Sequence, residues 1–352
     1  MSKKWRGAVV GVGVVGEWHA RIAANLEEMQ LVALCDTDSK RAQAALDKNK
    51  ITGVPIYGDI NQMLKKEKLD FISICTPSGN HLEPALAAMN AGVNVISEKP
   101  LEVQLDRIDR MIEATEKNKV RLAGIFQNRW NPANRALHDA VTEGRFGRIA
   151  WAGSFTPWHR TDQYYRDGGW RGTWKLDGGG AIMNQSVHAI DLLQWIAGPV
   201  KQVSAYASSR IHAEIEVEDT LTCALQFTSG AFGTIMGSTA MFPGGRVRIE
   251  IGGENGYAVS EDGLKMFKFR DERPGDAGLL EQVNAKKSDA GGGSNPQLSN
   301  LRLHSQNIVS ILQAWSENRD AETNGAEARK AVAIILAMYE SAKKGGAPIQ
   351  VR

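Results

Sequence analysis

The chain has 352 residues, with 42 lysines and arginines against 40 aspartates and glutamates, so its formal net charge at pH 7 is +2. Nucleic-acid-binding surfaces normally carry clustered basic residues, and the basic runs here are short, so we expect no nucleic-acid partner. A hydrophobic fraction of 42% excludes a chain that is disordered throughout, and the length suggests two domains of about 100–200 residues each.

The sequence lacks a run of about 18 consecutive apolar residues, and its N-terminus leads almost at once into a strand-like segment. We therefore expect a cytoplasmic protein with no membrane partner. The three cysteines, Cys35, Cys75 and Cys223, are odd in number and widely spaced. This spacing fits neither a zinc site nor a disulfide framework, so we expect buried free thiols and no metal.

Residues 1–126 alternate short β-rich runs with helical ones, which is the pattern of βαβ units in a parallel sheet. The predicted strands are 7–10, 31–35, 71–75, 93–96 and 121–125. This pattern predicts an α/β fold whose N-terminal part is a doubly wound, dinucleotide-binding Rossmann domain.

A GxGxxG motif, Gly11 to Gly16, directly follows the first predicted strand and opens a helical run. The first glycine permits a tight turn, Gly13 lets the backbone approach a pyrophosphate, and the third lets helix and strand pack closely. We predict that these three glycines, with Val14 and Val15 between them, contact a dinucleotide cofactor.

Asp36 ends the second predicted strand, near the place where an acid hydrogen-bonds the adenosine ribose hydroxyls. A carboxylate there would repel the 2′-phosphate of NADP, so we predict NAD as the preferred cofactor. The alternative is that Asp36 only caps the next helix.

The third main strand leads into Thr76, Pro77, Asn80 and His81, which open another helix. Because ligands of doubly wound sheets lie at the carboxyl ends of the strands, we predict that these residues contact the cofactor. For His81 the alternative is a surface or helix-start residue.

The strand at 93–96 ends in Ser97-Glu98-Lys99-Pro100, again at the carboxyl edge of the sheet, where the nicotinamide should lie. We predict Glu98 and Lys99 as cofactor contacts and Lys99 also as a substrate contact and candidate base. A lysine can accept a proton near neutrality only if its surroundings lower its ordinary pKa of about 10.4.

Residues 127–352 carry long alternating strands and glycine turns, which predicts a second, mostly antiparallel domain for substrate binding and oligomerisation. The predicted strands are 148–156, 200–208, 220–228, 231–239 and 247–251, and helices are expected at 181–197, 298–318 and 326–343. For the closing helices of the chain, the alternative is that they return to the first domain, at 1–126. Residues 271–298 are polar and glycine-rich, and we expect an exposed, mobile loop there.

An aromatic and basic tract runs from Trp158 through Tyr165 and Arg171 to Trp174. Aromatic faces suit the C–H face of a pyranose, and arginine forks suit carboxylates or phosphates, so we predict substrate contacts by these four residues and by Arg129. The alternative is a cluster that packs a loop or a dimer interface.

The segment from Gly178 to Asp191 is a glycine-rich entry to a helix on which Asn184, His188 and Asp191 share one face. Three polar residues on one stripe need partners if the stripe is buried. We predict Asn184 and His188 as catalytic and substrate-binding residues, and the alternative is a structural hydrogen-bond cluster.

Together, the GxGxxG motif, the Thr76 to His81 turn, Glu98-Lys99-Pro100 and the Gly178 to Asp191 segment resemble the glucose–fructose oxidoreductase / inositol dehydrogenase / MocA (Gfo/Idh/MocA) family. The resemblance implies a Rossmann domain and a C-terminal α/β domain with a large open sheet. It further implies hydride transfer between a nicotinamide cofactor and a sugar or cyclitol hydroxyl, and a homodimer or homotetramer formed through that sheet.

In this family the lysine of the EKP motif and the histidine of the second motif line the reacting carbon, which the resemblance carries to Lys99 and His188. The chain departs from the pattern of inositol dehydrogenases at Asn184, where those enzymes have an aspartate. An amide cannot accept the proton as an aspartate could. With asparagine at this position, the chain resembles enzymes of the family that act on UDP-linked N-acetylhexosaminuronates.

Three functions remain open at this point. The first is an NAD-dependent dehydrogenase that oxidises a secondary hydroxyl of a pyranose, uronate, UDP-sugar or cyclitol. The second is a redox-neutral enzyme that keeps NAD bound and oxidises a sugar transiently, for glycoside cleavage or sugar–sugar exchange. The third is a catalytically silent NAD-binding regulator, against which the presence of Lys99 and His188 argues.

Overall fold

The structure, a computed structural model, describes residues 4–285 and 301–352. Within these ranges, no helix combines the length and the apolar composition that a membrane crossing requires. The chain divides into two compact units. Unit 1 contains the described residues up to Ile125 together with His304–Arg329, and unit 2 contains those of Phe126–Leu303 together with Lys330–Arg352.

Unit 1 is built around six short strands and the helices that connect them. The strands are β1 (Trp5–Val10), β2 (Met29–Cys35), β3 (Ile56–Tyr57), β4 (Phe71–Ile74), β5 (Asn94–Ser97) and β6 (Leu122–Gly124). The helices are α1 (Val14–Asn25), α2 (Ser39–Lys48), α3 (Ile60–Lys66), α4 (Leu82–Asn90) and α5 (Leu105–Asn118), with a 3₁₀ turn at Ser78–Asn80.

The strands of unit 1 form one parallel sheet in the order β3-β2-β1-β4-β5-β6. The strands therefore follow one another outward from β1 towards both edges of the sheet. The topological switch point, where the strand order reverses, lies between β1 and β4. In sheets of this kind the ligand binds beyond the carboxyl ends of the strands at that switch. Every residue of β4 is buried, as expected for a strand covered on both faces.

Unit 2 contains the remaining strands and the helices beside them. The strands are β7 (Ile149–Pro157), β8 (Val200–Ser208), β9 (Thr220–Phe227), β10 (Phe232–Ser238), β11 (Arg248–Gly253), β12 (Gly256–Ser260), β13 (Leu264–Phe269) and β14 (Ile349–Gln350). The helices that begin in it are α6 (Pro132–Thr142), α7 (Asp162–Arg166), a π-helical turn (Ala181–Ser186), α8 (Val187–Ala197), α9 (Gly275–Ala285) and α10 (Leu301–Ser316). Helix α11 (Gly325–Lys343) begins in unit 1 and continues into unit 2.

The eight strands of unit 2 form one sheet in the order β13-β12-β11-β7-β10-β9-β8-β14. All neighbouring pairs are antiparallel except β7 with β10, which is parallel. Buried and more exposed residues alternate along β9, so one face of this sheet packs on the interior and the other is open. The two sheets confirm the predicted α/β class.

The structure corrects the predicted elements in two places. Helix α9 occupies Gly275–Ala285, inside the segment predicted as a loop, because Leu279 and Val283 recur one turn apart within a polar stretch. The remainder of that predicted loop, with Gly291–Gly293, and the predicted start of the next helix at 298 lie outside the described residues. Strands β3, β12, β13 and β14 are additional to the prediction, and the first and last of them have only two residues each.

Candidate active site

The glycine-rich loop of unit 1 has the geometry that its three glycines predict. Gly11 has a φ of +84°, and a Cβ on it would lie 2.7 Å from the backbone nitrogen of Thr76. A Cβ on Gly16 would overlap the carbonyl oxygen of Gly11. A Cβ on Gly13, by contrast, would meet no atom of the described residues within 4 Å. With helix α1 starting at Val14, the loop has the open backbone and helix N-terminus that a dinucleotide pyrophosphate requires.

The side chain of Asp36 binds the backbone of this loop. Its buried carboxylate accepts hydrogen bonds from the backbone N–H of Val12 (2.6 Å) and of Asp38 (2.8 Å). Helix α2 is capped by Asp38, whose side chain accepts from the N–H groups of Lys40 and Arg41, so the alternative of Asp36 as the helix cap is wrong. A carboxylate has about four acceptor positions, and two backbone bonds leave capacity for ribose hydroxyls.

The turn after β4 is tied together by Thr76 and His81. The Thr76 hydroxyl donates to the carbonyl oxygen of Asn80 (3.0 Å), and Asn80 itself is exposed at the rim with Pro77 nearby. His81 is completely buried, and its ring nitrogens face the carbonyl oxygens of Thr76 (2.9 Å) and Pro100 (3.1 Å). The predicted cofactor contact of His81 is corrected, and so is the alternative of a surface residue. The alternative of a helix-start residue is confirmed, because His81 is the N-cap of helix α4, and its side chain joins the turns after β4 and β5.

Lys99 stands on the turn after β5, beside a buried histidine–glutamate cluster. The carboxylate of Glu98 bonds the ring nitrogen of His19 (2.9 Å) and the backbone N–H of Lys99 (3.2 Å), and lies 3.6 Å from the ring nitrogen of His304. Burial by itself would raise the pKa of the Glu98 carboxyl, but the hydrogen bonds from the two histidines outweigh it and hold that pKa well below its usual value.

A cofactor contact by the side chain of Glu98 is therefore excluded. Its side chain is 6% exposed and is committed to the groups just named, so its function in the structure is to hold the turn. Lys99 is half-buried, and the Lys99–Pro100 peptide bond is cis.

Asn184 and His188 lie on the segment that runs from the π-helical turn into α8, and both are half-buried among buried neighbours. The amide nitrogen of Asn184 donates to a carboxylate oxygen of Asp177 (2.5 Å), whose other oxygen accepts from the N–H of Gly172 (2.8 Å). The imidazole of His188 lies 3.5 Å from the amide nitrogen of Gln127. The structure thus places the two predicted residues on the same segment.

Arg129 is not available to a substrate. Its guanidinium is 1% exposed and forms a two-pronged ion pair with the equally buried Asp191, at 2.8 Å from Nε and 2.5 Å from Nη2. The ring of Trp195 lies 5.3 Å from the guanidinium carbon. The predicted substrate contact of Arg129 is corrected: it is the buried partner that Asp191, the third polar residue of the helix stripe, requires.

The aromatic and basic tract separates into buried and accessible members. Tyr165 is buried and its hydroxyl bonds Thr239 (2.8 Å), so its predicted substrate contact is also corrected. Arg171 is half-buried, with its guanidinium carbon 4.3 Å from the ring centre of Tyr164, and Trp174 is exposed. Trp158 is half-buried at the end of β7.

Two residues outside the predicted site set, Arg160 and Asp177, organise this part of unit 2. Arg160 is buried, lies over the rings of Trp158 and Tyr164, and donates to the side-chain oxygen of Gln185 (2.9 Å). Asp177 gives no local signal of a functional role, because a residue that precedes three glycines has the pattern of a loop. The signal that could have found both is their position, within or just after a tract already marked as functional.

Two family models match the chain. The model described as "Oxidoreductase family, NAD-binding Rossmann fold" matches residues 5–126. The model described as "GFO/IDH/MocA C-terminal domain" matches residues 134–259.

Known proteins resemble the chain over nearly its whole length. A WlbA dehydrogenase from Bordetella pertussis, solved in complex with NADH and UDP-GlcNAcA, is 31% identical, with a TM-score of 0.91, covering 100% of this chain and 99% of that one. A WlbA dehydrogenase from Chromobacterium violaceum, solved with the same two ligands, is 30% identical, with a TM-score of 0.89 and coverage of 100% and 97%. D-apiose dehydrogenase from Paraburkholderia graminis is 26% identical over 97% of this chain and 89% of its own.

The buried ion pair yields the first prediction. Replacing Arg129 by Met leaves the Asp191 carboxylate buried without its bidentate partner, and we expect a loss of about 3–5 kcal/mol in the free energy of unfolding. Urea denaturation measures it. The matched control is Arg329→Met, which breaks a half-exposed bidentate pair with Asp109 and should lose at most about 1 kcal/mol.

A substrate-binding Arg129 would behave differently. Its replacement would leave the unfolding free energy close to that of the control and would raise the substrate KM instead, which would contradict the structural assignment.

Proposed function

The chain belongs to the Gfo/Idh/MocA family of NAD-binding oxidoreductases, and from this premise we propose that it oxidises a secondary hydroxyl of a UDP-linked N-acetylhexosaminuronate. NAD is the hydride acceptor in this proposal. The family membership confirms the resemblance predicted from the four motifs. Family membership does not distinguish among the substrate classes, so the substrate class is supported by other observations.

One observation carries the substrate class. The similarity to the two WlbA dehydrogenases extends over the entire chain at 30% identity or more, whereas D-apiose dehydrogenase is 26% identical. The WlbA enzymes were solved with UDP-GlcNAcA, a ligand with a diphosphate and a carboxylate. Asn184, which separates this chain from the inositol dehydrogenase pattern, supports the same class.

The residues proposed to hold NAD lie at the carboxyl ends of the strands of unit 1. The glycine-rich loop would carry the pyrophosphate, and Asp36 would accept hydrogen bonds from the ribose hydroxyls and repel a 2′-phosphate. The remaining proposed contacts flank these ends: Val14, Val15, Thr76, Pro77, Asn80 and Lys99. When bound, NAD supplies an acceptor for the hydride at C4 of the nicotinamide.

Lys99 is proposed as the general base, with His188 as the second choice. The alcohol loses its hydroxyl proton to Nζ of Lys99 and its carbinol hydrogen as hydride, so that the carbon–oxygen single bond becomes a carbonyl. The Glu98 cluster fixes the backbone of the turn and thereby restricts the positions that the Lys99 side chain can reach.

Asn184 is proposed to orient the reacting hydroxyl. Because its amide nitrogen donates to Asp177, its amide oxygen faces the other way, towards donors such as Gln185 (3.1 Å) or a substrate hydroxyl. A neutral amide held in this way can fix the direction of a hydroxyl, but it takes up no proton at neutral pH.

The accessible members of the aromatic and basic tract are proposed to bind the substrate. Trp158 and Trp174 offer ring faces to the sugar, and Arg171 offers a guanidinium to the carboxylate or diphosphate. As partner, we propose a second copy of the chain, paired through the open face of the eight-stranded sheet into a homodimer or homotetramer. Phe232, which lies on β10 and is 63% exposed, supports that surface.

The proposed substrate class predicts the outcome of a screen. With NAD in excess, the rate of NADH formation should be highest with the UDP-linked N-acetylhexosaminuronate. The uncharged UDP-N-acetylhexosamine should give a kcat/KM about 10- to 100-fold lower, because one charge-assisted hydrogen bond contributes about 1.5–3 kcal/mol. Higher specificity for free hexoses or inositols would contradict the proposal.

The proposed base predicts a separation of turnover from cofactor binding. Lys99→Ala should lower kcat by about 100- to 10,000-fold, the range that a general base contributes, while the Kd for NAD stays near that of the wild type. Lys68→Ala removes an exposed lysine of the same unit and serves as the control. Wild-type turnover in the Lys99 variant would exclude Lys99 as the base.

A further inference from the structure

The segment that carries Asn184 and His188 begins in the interior of unit 2, where its first backbone N–H groups need partners from outside the helix. The first four N–H groups of an α-helix have no acceptor within it, and in this segment the N–H of Asn184 donates to the carbonyl of Gly180, so the N–H groups from Gly180 to Met183 need acceptors elsewhere. Here the residues at the start, from Gly180 to Met183, are all buried. Leaving even one of these groups without an acceptor would destabilise the helix start.

Glu218 binds three of these groups. Its carboxylate accepts from the N–H of Gly180 (3.1 Å) and of Ile182 (2.9 Å), and its backbone carbonyl accepts from the N–H of Ala181 (3.1 Å). Glu218 itself is 4% exposed. One residue, distant by 38 positions in sequence, thus fixes the entrance to the helix.

Tyr339 on α11 binds the fourth group and completes the arrangement. Its hydroxyl accepts from the N–H of Met183 (3.2 Å) and donates to the Glu218 carboxylate (2.9 Å). We call Glu218 and Tyr339 the clamp.

Two of the three glycines before the helix are explained by this clamp. A Cβ on Gly180 would overlap the carbonyl oxygen of Glu218, and a Cβ on Gly179 would overlap the hydroxyl of Tyr339. Larger residues at these two positions would therefore push both clamp residues away from the helix start.

We propose that Glu218 and Tyr339 are positioning residues for the reaction, because they fix the first turn from which Asn184 reaches the substrate. This inference rests on the proposed function, because its effect on catalysis is measured as the kcat of sugar oxidation. The path is short: Asn184 follows Met183 directly, and its own N–H donates to the carbonyl of Gly180 (3.2 Å), so both ends of that turn are bound to the clamp.

The clamp carboxylate also titrates near neutrality. Burial raises the pKa of Glu218 to about 7, and the hydrogen bonds that it accepts only partly oppose this rise. The titratable groups coupled to it are Tyr339 and Tyr165, whose pKa values its charge helps to raise, and Asp177, which acts on the same two tyrosines. Both tyrosines stay protonated near pH 7, whereas Glu218 changes its charge there.

Tyr339→Phe tests positioning with little change in packing, because the ring against Trp174 is kept and only the hydroxyl is lost. We expect kcat to fall by about 10- to 100-fold, since small displacements of reacting groups have effects up to that size, while the Kd for NAD is unchanged. Tyr57→Phe, which removes another tyrosine–glutamate hydrogen bond (2.7 Å), is the matched control. An unchanged kcat in Tyr339→Phe would overturn the proposal.

Glu218→Gln tests the clamp without reference to catalysis. Because the folded-state pKa is raised from 4.5 to about 7, the contribution of Glu218 to stability is fully present below pH 4.5 and is lost as the pH rises through 7. Glutamine does not titrate, so the unfolding free energy of the variant minus that of the wild type should increase over this range. A constant difference would overturn the assignment of Glu218.

The two measurements separate the clamp from the proposed function. If the wild type oxidises no sugar in the screen, the proposed function fails, and the stability comparison still decides whether Glu218 is a buried, titrating clamp. If the wild type is active, the kcat of Tyr339→Phe decides whether the clamp positions the reaction.

Discussion

The proposed site residues of both units depend on one physical constraint: turns that lie inside the protein must have acceptors for their backbone N–H groups. Buried carboxylates meet this need in four turns that carry proposed site residues. They serve the glycine-rich loop, the turn of Lys99, the aromatic tract and the start of the Asn184 segment. The four carboxylates are Asp36, Glu98, Asp177 and Glu218. Each accepts a hydrogen bond from the backbone of a segment that carries a proposed site residue.

The surroundings of two of these buried carboxyl groups shift their pKa values in opposite directions. Glu98 lies between two histidines, and their hydrogen bonds keep its pKa well below the usual value despite burial. Glu218 accepts from backbone N–H groups and from Tyr339, and burial raises its pKa to about 7. The turn of Lys99 is therefore held by a carboxylate that stays charged over the physiological range, whereas the Asn184 segment is held by one that titrates within it.

Local sequence patterns predicted those turns and strands whose geometry is set by residues close together in the sequence. The glycine loop, Asp36 and the parallel strands follow from turn geometry and from runs of apolar residues that are read within a few positions. Burial could not be read in this way: Arg129, Tyr165 and His81 have polar groups typical of sites, yet each is satisfied inside the protein by a partner distant in sequence. Glu218 gave no local signal, because the glycine that it contacts, Gly180, lies 38 positions earlier.

The central claim is that a sugar hydroxyl is oxidised with NAD as acceptor. The direct measurement is a single turnover of the wild-type enzyme with NAD and a UDP-linked N-acetylhexosaminuronate that carries deuterium on its ring carbons, followed by mass spectrometry of the dinucleotide. We predict reduced NAD that contains one deuterium, together with a keto sugar that has lost it. Reduced NAD without deuterium, or no reduced NAD with this substrate, would contradict the account.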